Sequence, residues 1–333
     1  MKRLLALLAL LPVLLLLTAC GSKQDAVSGP AQKLSVMLDF FPNADHVGLY
    51  SGLKRGTFRQ AGLDLQILEP PAPDAPLKLL AAGKVDLAIS YEPEVLLARD
   101  QDTPLISVGA LVSRPLTSLM ALPGAKIRTP ADLKGKTVGT AGIPYQTAYL
   151  KTIGQRSGAG AIQQVDVGFN LNRALISKRV DATLGGFSNY EAIQLRQAGR
   201  KPVVIPVDQA GVPPYDELVV VARRKFLADH GDAVRSFVQA LGRATAAVRA
   251  NPERGVDDLV SSVPALRSQR KLQETAVRAT LPAFAPPPGR PFGFQDPVEW
   301  RRYGRWMLSN RLVKHDPHAQ DALTNEFLAG EGL

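Results

Sequence analysis

Residues 82–94 read AGKVDLAISYEPE, and residues 176–191 repeat the same pattern as ISKRVDATLGGFSNYE. Each copy has a basic residue, then Val-Asp, then a short apolar run that stops at small or aromatic residues before a glutamate. A short apolar run that follows a turn is typical of a buried β-strand. The repeat therefore predicts two similar units, each with a strand whose carboxyl end carries polar and aromatic side chains.

Strand-like and helix-like patterns alternate around both copies. Helices are predicted at 47–62 and 77–82, after starts near Thr129 and Asn172, and from Pro144, which suits a first helical turn. Such an alternation is typical of parallel sheets covered by helices, so the sequence predicts the α/β class. The predicted strands are 33–38, 63–68, 85–89, 106–112, 116–122, 137–140, 165–167, 181–184 and 218–222.

From about Arg224 onward the chain is predicted to be helical. Apolar residues between Val234 and Val248 recur at spacings of three and four, which predicts one long helix that ends at Asn251-Pro252. Another helix is predicted after Asp296-Pro297. Its aromatic stripe has helical spacing and is expected to pack in the core rather than to bind a ligand.

Ligands of open α/β sheets bind at the carboxyl ends of the strands. The two copies of the pattern place such ends in two units, and the chain is expected to cross between the units at about 112–118 and 214–220. We therefore predict a hinged, two-lobed clamshell that closes on a small molecule. Lobe 1 is predicted to comprise residues 33–114 and 218–333 and lobe 2 residues 115–217, each with a mixed, mostly parallel sheet flanked by helices.

The first twenty residues, MKRLLALLALLPVLLLLTAC, have a basic start and a short apolar run that ends at Cys20. This pattern predicts a secretory signal peptide over 1–19 with a lipobox, and lipidation of Cys20. Cys20 is the only cysteine, so a disulfide within the chain is excluded. Two acyl chains hold a protein stably on a membrane, and we expect a lipid anchor on the extracytoplasmic face of the cell membrane, followed by a polar tether over 20–32.

Several other classes of protein are disfavoured by the sequence. The formal net charge is +10, but the basic residues are scattered without interleaved aromatic residues, so we expect a solvated basic face and no nucleic-acid partner. With four histidines and one cysteine, we expect no metal site. Residues 134–137 end like a phosphate-binding loop, yet Pro130 stands where such a loop needs glycine. The chain lacks a Gly-x-Ser-x-Gly motif, and we expect neither an enzyme nor a cofactor.

Candidate ligand-binding residues cluster at the predicted strand ends. The segment LDFFPNADHVGLY (38–50) combines carboxylate, amide and aromatic groups, and Phe187–Glu191 repeats that combination in lobe 2. Aromatic faces beside hydrogen-bonding groups suit a flat heterocycle. Asp45 has an alternative role as a helix N-cap. The predicted ligand-binding set is Asp39, Phe41, Asn43, His46, Tyr50, Tyr91, Glu92, Tyr145, Phe187, Asn189, Glu191 and Tyr215.

Six segments also carry a resemblance to a known family: LDFFPNADHVGLY, AGLDLQILEP, LLAAGKVDLAIS, DLKGKTVGTAG, GGFSNYEAIQL and the closing TNEFL at Thr324–Leu328. From about residue 34 to 328 the chain resembles the thiamine-precursor binding lipoproteins of bacterial ABC transporters and the related fungal hydroxymethylpyrimidine synthases. The resemblance implies a type II periplasmic-binding-protein clamshell, with an ABC permease and ATPase as partners. It also implies an aminopyrimidine ligand, such as formylaminopyrimidine or its hydroxymethyl relative, with Glu191 at the position that hydrogen-bonds the pyrimidine edge.

Two alternatives stay open: a receptor of the same fold for riboflavin or a sulfonate, and a pyrimidine-synthesising enzyme. Many relatives carry tryptophan where this chain has Phe41 or Ser188. The synthases use a lysine and a histidine at positions that match Ser90 and Glu94 here, and a cysteine cluster that residues 211–216 lack. A serine cannot form a Schiff base, so we predict a binding protein without a cofactor. We also expect this protein to be a monomer.

Overall fold

The computed structural model describes residues 30–330. The predicted signal peptide, Cys20 and most of the predicted tether lie outside the described residues. The strands are β1 (Gln32–Met37), β2 (Leu63–Leu68), β3 (Leu87–Ser90), β4 (Leu105–Val112), β5 (Thr117–Ala121), β6 (Thr137–Thr140), β7 (Gln163–Asp166), β8 (Ala182–Phe187), β9 (Val203–Pro206) and β10 (Leu218–Arg223). The α-helices are α1 (Val47–Lys54), α2 (Thr57–Gln60), α3 (Ala75–Ala81), α4 (Glu92–Asp100), α5 (Pro144–Ser157), α6 (Leu171–Ile176), α7 (Glu191–Gln197), α8 (Arg224–Ala250), α9 (Pro252–Ser262), α10 (Arg270–Thr280) and α11 (Pro297–Ser309).

The described strands form two five-stranded sheets with equivalent topology. The order is β2-β1-β3-β10-β4 in lobe 1 and β7-β6-β8-β5-β9 in lobe 2. β3 and β8, the strands of the repeated pattern, each lie third in their sheet, between a parallel and an antiparallel neighbour. Both sheets are mixed because the strand that enters from the other lobe, β10 or β5, runs antiparallel to its two neighbours.

The basic part of the repeated pattern ends a helix. Gly83 and Lys178 occupy equivalent positions and both have positive φ, 70° and 58°. The N–H of the next residue in each copy donates to a carbonyl five residues earlier, from Lys84 to Leu79 and from Arg179 to Ala174. These bonds form a Schellman-type cap, which satisfies carbonyl groups at the ends of α3 and α6.

The aspartate of the repeated pattern starts the strand that follows. Asp86 Oδ2 accepts a hydrogen bond from the backbone N–H of Ser35 at 2.8 Å, at the edge of β3. Asp181 Oδ2 accepts from the backbone N–H of Thr137 at 2.9 Å, before β8. Each carboxylate thus pairs the incoming strand with its parallel neighbour, which explains why both copies need Val-Asp at this place.

The observed helices and strands differ from the sequence prediction in three ways. The single helix predicted over 47–62 is broken into α1 and α2, because Gly56 adopts φ 72° between them. The start predicted near Thr129 produces only a short 3-10 turn, Pro130–Leu133, with a Thr129–Asp132 capping box. The helices α4 and α7 and the strand β9 were not predicted; both helices begin directly after strand ends that were interpreted only as site segments.

The two segments that connect the lobes are joined by one buried carboxylate. Glu217 has no exposed surface and lies just before β10. Its Oε2 accepts hydrogen bonds from the backbone N–H groups of Leu116 and Thr117 at 2.6 and 2.7 Å. The Thr117 hydroxyl donates to Oε1 at 2.8 Å, and the Tyr215 hydroxyl lies 3.1 Å from both oxygens. Glu217 therefore holds the outgoing and returning chain together at the hinge.

Two further buried carboxylates, Glu92 and Asp216, hold the returning segment against lobe 1. Glu92 Oε2 accepts from the backbone N–H of Asp216 at 2.7 Å, and Asp216 Oδ2 accepts from the indole N–H of Trp300 at 2.7 Å. Trp300, Tyr303 and Met307 of α11 are almost fully buried, so the stripe of that helix packs in the core as predicted. Among residues 30–330, no helix is both long and apolar enough to cross a membrane.

These buried carboxylates predict an unusual pH dependence of stability. Burial raises the pKa of Glu217 to about 7, and burial raises the pKa values of Glu92 and Asp216 as well. Between about pH 4.5 and pH 7 the folded protein therefore binds protons that the unfolded chain has released. We expect the free energy of unfolding to fall as the pH rises through this range, as measured by urea denaturation at constant ionic strength.

The control variant is Glu217→Gln, which retains an oxygen acceptor for the hinge N–H groups but does not titrate in this range. Its unfolding free energy should depend less steeply on pH than that of the wild type. A wild-type protein that becomes more stable between about pH 5 and pH 7 would contradict the expectation, because the linkage fixes the sign.

Candidate ligand-binding site

A cavity lies between the two sheets, at the carboxyl ends of strands from both lobes. Its walls leave about 480 Å³ empty of protein atoms, part of which is open to solvent. The polar lining side chains are Asp39, Asn43, Asp45, Gln146 and Glu191. The aromatic lining side chains are Phe40, Tyr91, Tyr145, Phe169, Phe187 and Tyr190.

Asp39 follows β1 and is held by two buried partners. His46 Nε2 lies 2.8 Å from Asp39 Oδ1, and the Tyr91 hydroxyl donates to Oδ2 at 2.9 Å. Asn43 shapes the loop between them, because its Oδ1 accepts from the backbone N–H of Asp45 at 2.7 Å. Asn43 is therefore the N-cap of the turn Ala44–His46, and the N-cap alternative for Asp45 is wrong.

Glu191 is the first residue of α7 and points its carboxylate back toward β8. Its Oε2 accepts a hydrogen bond from the backbone N–H of Phe187 at 2.7 Å. Burial raises the pKa of Glu191 to about 7, while hydrogen bonds from the backbone act in the opposite direction. Glu191 is 9% exposed and lines the cavity, so its remaining acceptor capacity is available to a ligand.

The glycine pair after Leu184 allows this close arrangement. β8 has an extra residue, Gly185, between the pairings Leu119–Leu184 and Ser118–Gly186, which forms a β-bulge. Gly185 has φ 116°, and a Cβ there would collide with the Gln146 amide. That amide is fixed because Gln146 Oε1 accepts from the backbone N–H of Ala141 at 2.8 Å. A side chain at position 185 would therefore displace Gln146 from the cavity wall.

Ser90 and Glu94, which match the lysine and histidine positions of the synthases, bind each other in this protein. The Ser90 hydroxyl donates to Glu94 Oε2 at 2.6 Å. Burial raises the pKa of Glu94 to about 7. Neither side chain lines the cavity, and Lys84 lies before the start of β3, at the opposite end of that strand from the cavity.

The cavity wall is acidic. Among the described residues that line it there are three carboxylates, Asp39, Asp45 and Glu191, and no lysine or arginine. Carboxylates accept hydrogen bonds and, when ionised, favour positive charge and repel an anion in a partly desolvated space. This wall suits a neutral or cationic ligand that donates hydrogen bonds.

The structure places half of the predicted ligand-binding residues on this wall: Asp39, Asn43, Tyr91, Tyr145, Phe187 and Glu191. His46 lies behind Asp39, and Asn189 contacts Asp45 from the opposite lobe. Phe41 is 45% exposed outside the cavity, with its ring centroid 4.9 Å from that of Phe169.

Three predicted residues are buried away from the cavity. Tyr50 lies in α1, Glu92 lies beside Asp216, and Tyr215 lies at the hinge. The sequence prediction omitted Phe40, Phe169 and Tyr190 from its ligand-binding set. Phe169 follows β7, so the rule that ligands bind at strand ends would have found it.

Comparisons with known proteins identify the family of this chain. The family model described as NMT1/THI5 like matches residues 43–255. A formylaminopyrimidine-binding protein of Halalkalibacterium halodurans is 33% identical over 325 residues, which cover 96% of this chain and 98% of that protein. A 4-amino-5-hydroxymethyl-2-methylpyrimidine phosphate synthase of Legionella pneumophila is 23% identical over 308 residues, covering 91% of this chain and 94% of the synthase.

A solved structure supports the fold. The alkanesulfonate-binding protein SsuA from Xanthomonas axonopodis pv. citri, bound to MOPS, superposes with a TM-score of 0.69 at 18% identity, covering 89% of this chain and 99% of that chain. The predicted two-lobed α/β clamshell of periplasmic binding proteins is thereby confirmed. With a family model that matches most of the chain and a relative that is one-third identical over nearly its whole length, this protein belongs to the NMT1/THI5-like family.

Proposed function

We propose that the protein is the solute-binding component of an ABC importer and that it binds an aminopyrimidine precursor of thiamine, such as formylaminopyrimidine, between its lobes. The observation that carries the proposal is the cavity wall, with three carboxylates, no cationic side chain in the described lining, and aromatic rings from both lobes. The 33% identity to a formylaminopyrimidine-binding protein supports the same ligand class.

The chemistry of an aminopyrimidine matches this wall group by group. Its exocyclic amine donates hydrogen bonds, which Glu191 and the other carboxylates accept. Its ring nitrogens accept hydrogen bonds, and the described lining includes the amides of Asn43 and Gln146. Its flat faces suit contact with aromatic rings such as Tyr145 and Phe187.

The cavity wall disfavours a sulfonate ligand, and the Ser90–Glu94 contact disfavours the enzymatic alternative. A sulfonate carries a negative charge and would face Asp39, Asp45 and Glu191 without a cationic partner from the described lining. Riboflavin is neutral, so charge does not disfavour it, and direct competition must decide. For a synthase, the Ser90–Glu94 hydrogen bond occupies the positions where the resemblance requires a lysine and a histidine.

Glu191→Gln tests the ligand assignment. Glutamine retains an oxygen for the Phe187 N–H but removes the charge, and a hydrogen bond to a charged group contributes roughly 1.5–3 kcal/mol against about 0.5–1.5 kcal/mol for a neutral one. We expect formylaminopyrimidine to bind the variant about tenfold more weakly by isothermal titration calorimetry.

Asp258→Asn is the control, because Asp258 is a buried carboxylate that binds Ser51 and Arg55 and does not line the cavity. It should bind the ligand like the wild type. Methanesulfonate should not compete in either protein. Unchanged affinity of Glu191→Gln, or tighter binding of riboflavin than of the pyrimidine, would remove the main support for the assignment.

We further propose that the protein is anchored by lipid on Cys20 and acts on the extracytoplasmic face of the cell membrane. The lipobox and the polar segment that follows it support this proposal. Wild-type protein should partition with membranes and incorporate a labelled fatty acid, whereas Cys20→Ala should do neither. Equal soluble fractions of the two proteins would contradict the anchor.

A further inference from the structure

Among the described carboxylates of the cavity wall, Asp45 is the one that accepts a hydrogen bond from a side chain of the opposite lobe. It belongs to lobe 1 and is 1% exposed. Its Oδ1 accepts a hydrogen bond from Nδ2 of Asn189, in lobe 2, at 2.6 Å. Its Oδ2 has no partner among the described residues, although Asp45 lines the cavity. One oxygen therefore holds the opposite lobe, while the other is buried without a protein partner in a side chain that lines the cavity.

Asn189 connects this carboxylate to the elements on both sides of the cleft. The same Nδ2 donates to the Thr280 hydroxyl at 2.7 Å, at the end of α10 in lobe 1. One residue later, the Tyr190 hydroxyl accepts from Gln273 Nε2 of α10 at 3.3 Å. Asn189 lies between β8 and α7, the helix that begins with Glu191. The contact therefore forms only when α7 of lobe 2 lies against α10 of lobe 1.

Closing the lobes on Asp45 has an electrostatic cost. A carboxylate that leaves water must recover its lost hydrogen bonds, and an unpartnered buried oxygen is costly. Burial raises the pKa of Asp45 to about 6, while His46 and the Asn189 hydrogen bond act in the opposite direction. A donor that reaches Oδ2 would supply the missing hydrogen bond and offset the cost of closure.

We propose that Asp45 couples ligand binding to lobe closure: its Oδ2 accepts a hydrogen bond from an N–H donor of the ligand while its Oδ1 holds Asn189 of the opposite lobe. The proposal rests on the proposed function for the identity of the ligand. Glu191 differs in role, because its protein partner, Phe187, belongs to its own lobe. Glu191 therefore contacts the ligand, whereas Asp45 contacts both the ligand and the opposite lobe.

The ligand-dependent test compares Asp45→Asn and Asn189→Ala with the wild type. Asparagine retains an oxygen for Asn189 but can present an amide donor where the ligand needs an acceptor. We expect Asp45→Asn to bind formylaminopyrimidine about tenfold or more weakly. Asn189→Ala keeps the acceptor but loses the interlobe contact, so at saturating ligand its radius of gyration by small-angle scattering should decrease less than that of the wild type.

The ligand-free test uses pH, because a proton on Asp45 also removes the cost of burial. The raised pKa means that the closed form binds this proton more tightly than an open form with an ordinary carboxylate, so acid favours closure. Ligand-free wild type should be more compact at about pH 5 than at about pH 7.5. The titratable groups that face Asp45 are His46, Asp39, Tyr190 and Glu191, and they remain in Asp45→Asn. That variant should lose part of the pH effect, because Glu191, whose pKa burial raises to about 7, still titrates in this range.

Asp258→Asn should behave as the wild type in both tests, which controls for the loss of a buried carboxylate. If wild type does not bind the pyrimidine, the proposed function fails, and the ligand-free pH test still decides on Asp45. If Asp45→Asn retains the wild-type affinity, or compacts with acid as the wild type does, the coupling role of Asp45 is overturned.

Discussion

The hydrogen bonds of Glu217 hold the two chain crossings between the lobes together, and the rest of the architecture depends on them. Backbone N–H groups of the outgoing segment bind the carboxylate of the returning segment, without exposure to water. We expect the lobes to move by rotation about these crossings. Residues that follow strand ends of both sheets line one cavity between the lobes.

Charge is the property that distinguishes this cleft. The chain carries a formal net charge of +10, yet the described cavity wall contains carboxylates and no lysine or arginine. Burial raises the pKa of Asp45 to about 6 and the pKa of Glu191 to about 7. A ligand with hydrogen-bond donors would stabilise the ionised carboxylates of this cleft, which burial destabilises.

The same fold also occurs in a protein that binds sulfonates. A structure with a TM-score of 0.69 is described as an alkanesulfonate-binding protein, bound to MOPS. Overall fold is set by the sheets and the crossings, whereas selectivity depends on a few side chains after the strand ends. Under the proposed function, Asp39, Asp45 and Glu191 would be such side chains here, because all three line the cavity.

The sequence alone determined the features that depend on neighbouring residues. The repeated Val-Asp pattern, the α/β class and the bounds of β2 and β6 follow from local hydrogen bonds and periodicity, and the structure confirms them. Only the tertiary structure decided which side chains meet: Asn189 contacts Asp45 across 144 residues, and Tyr50 and Glu92 are turned away from the cleft. The reason is physical, because a contact between lobes depends on the hinge angle, which no local pattern encodes.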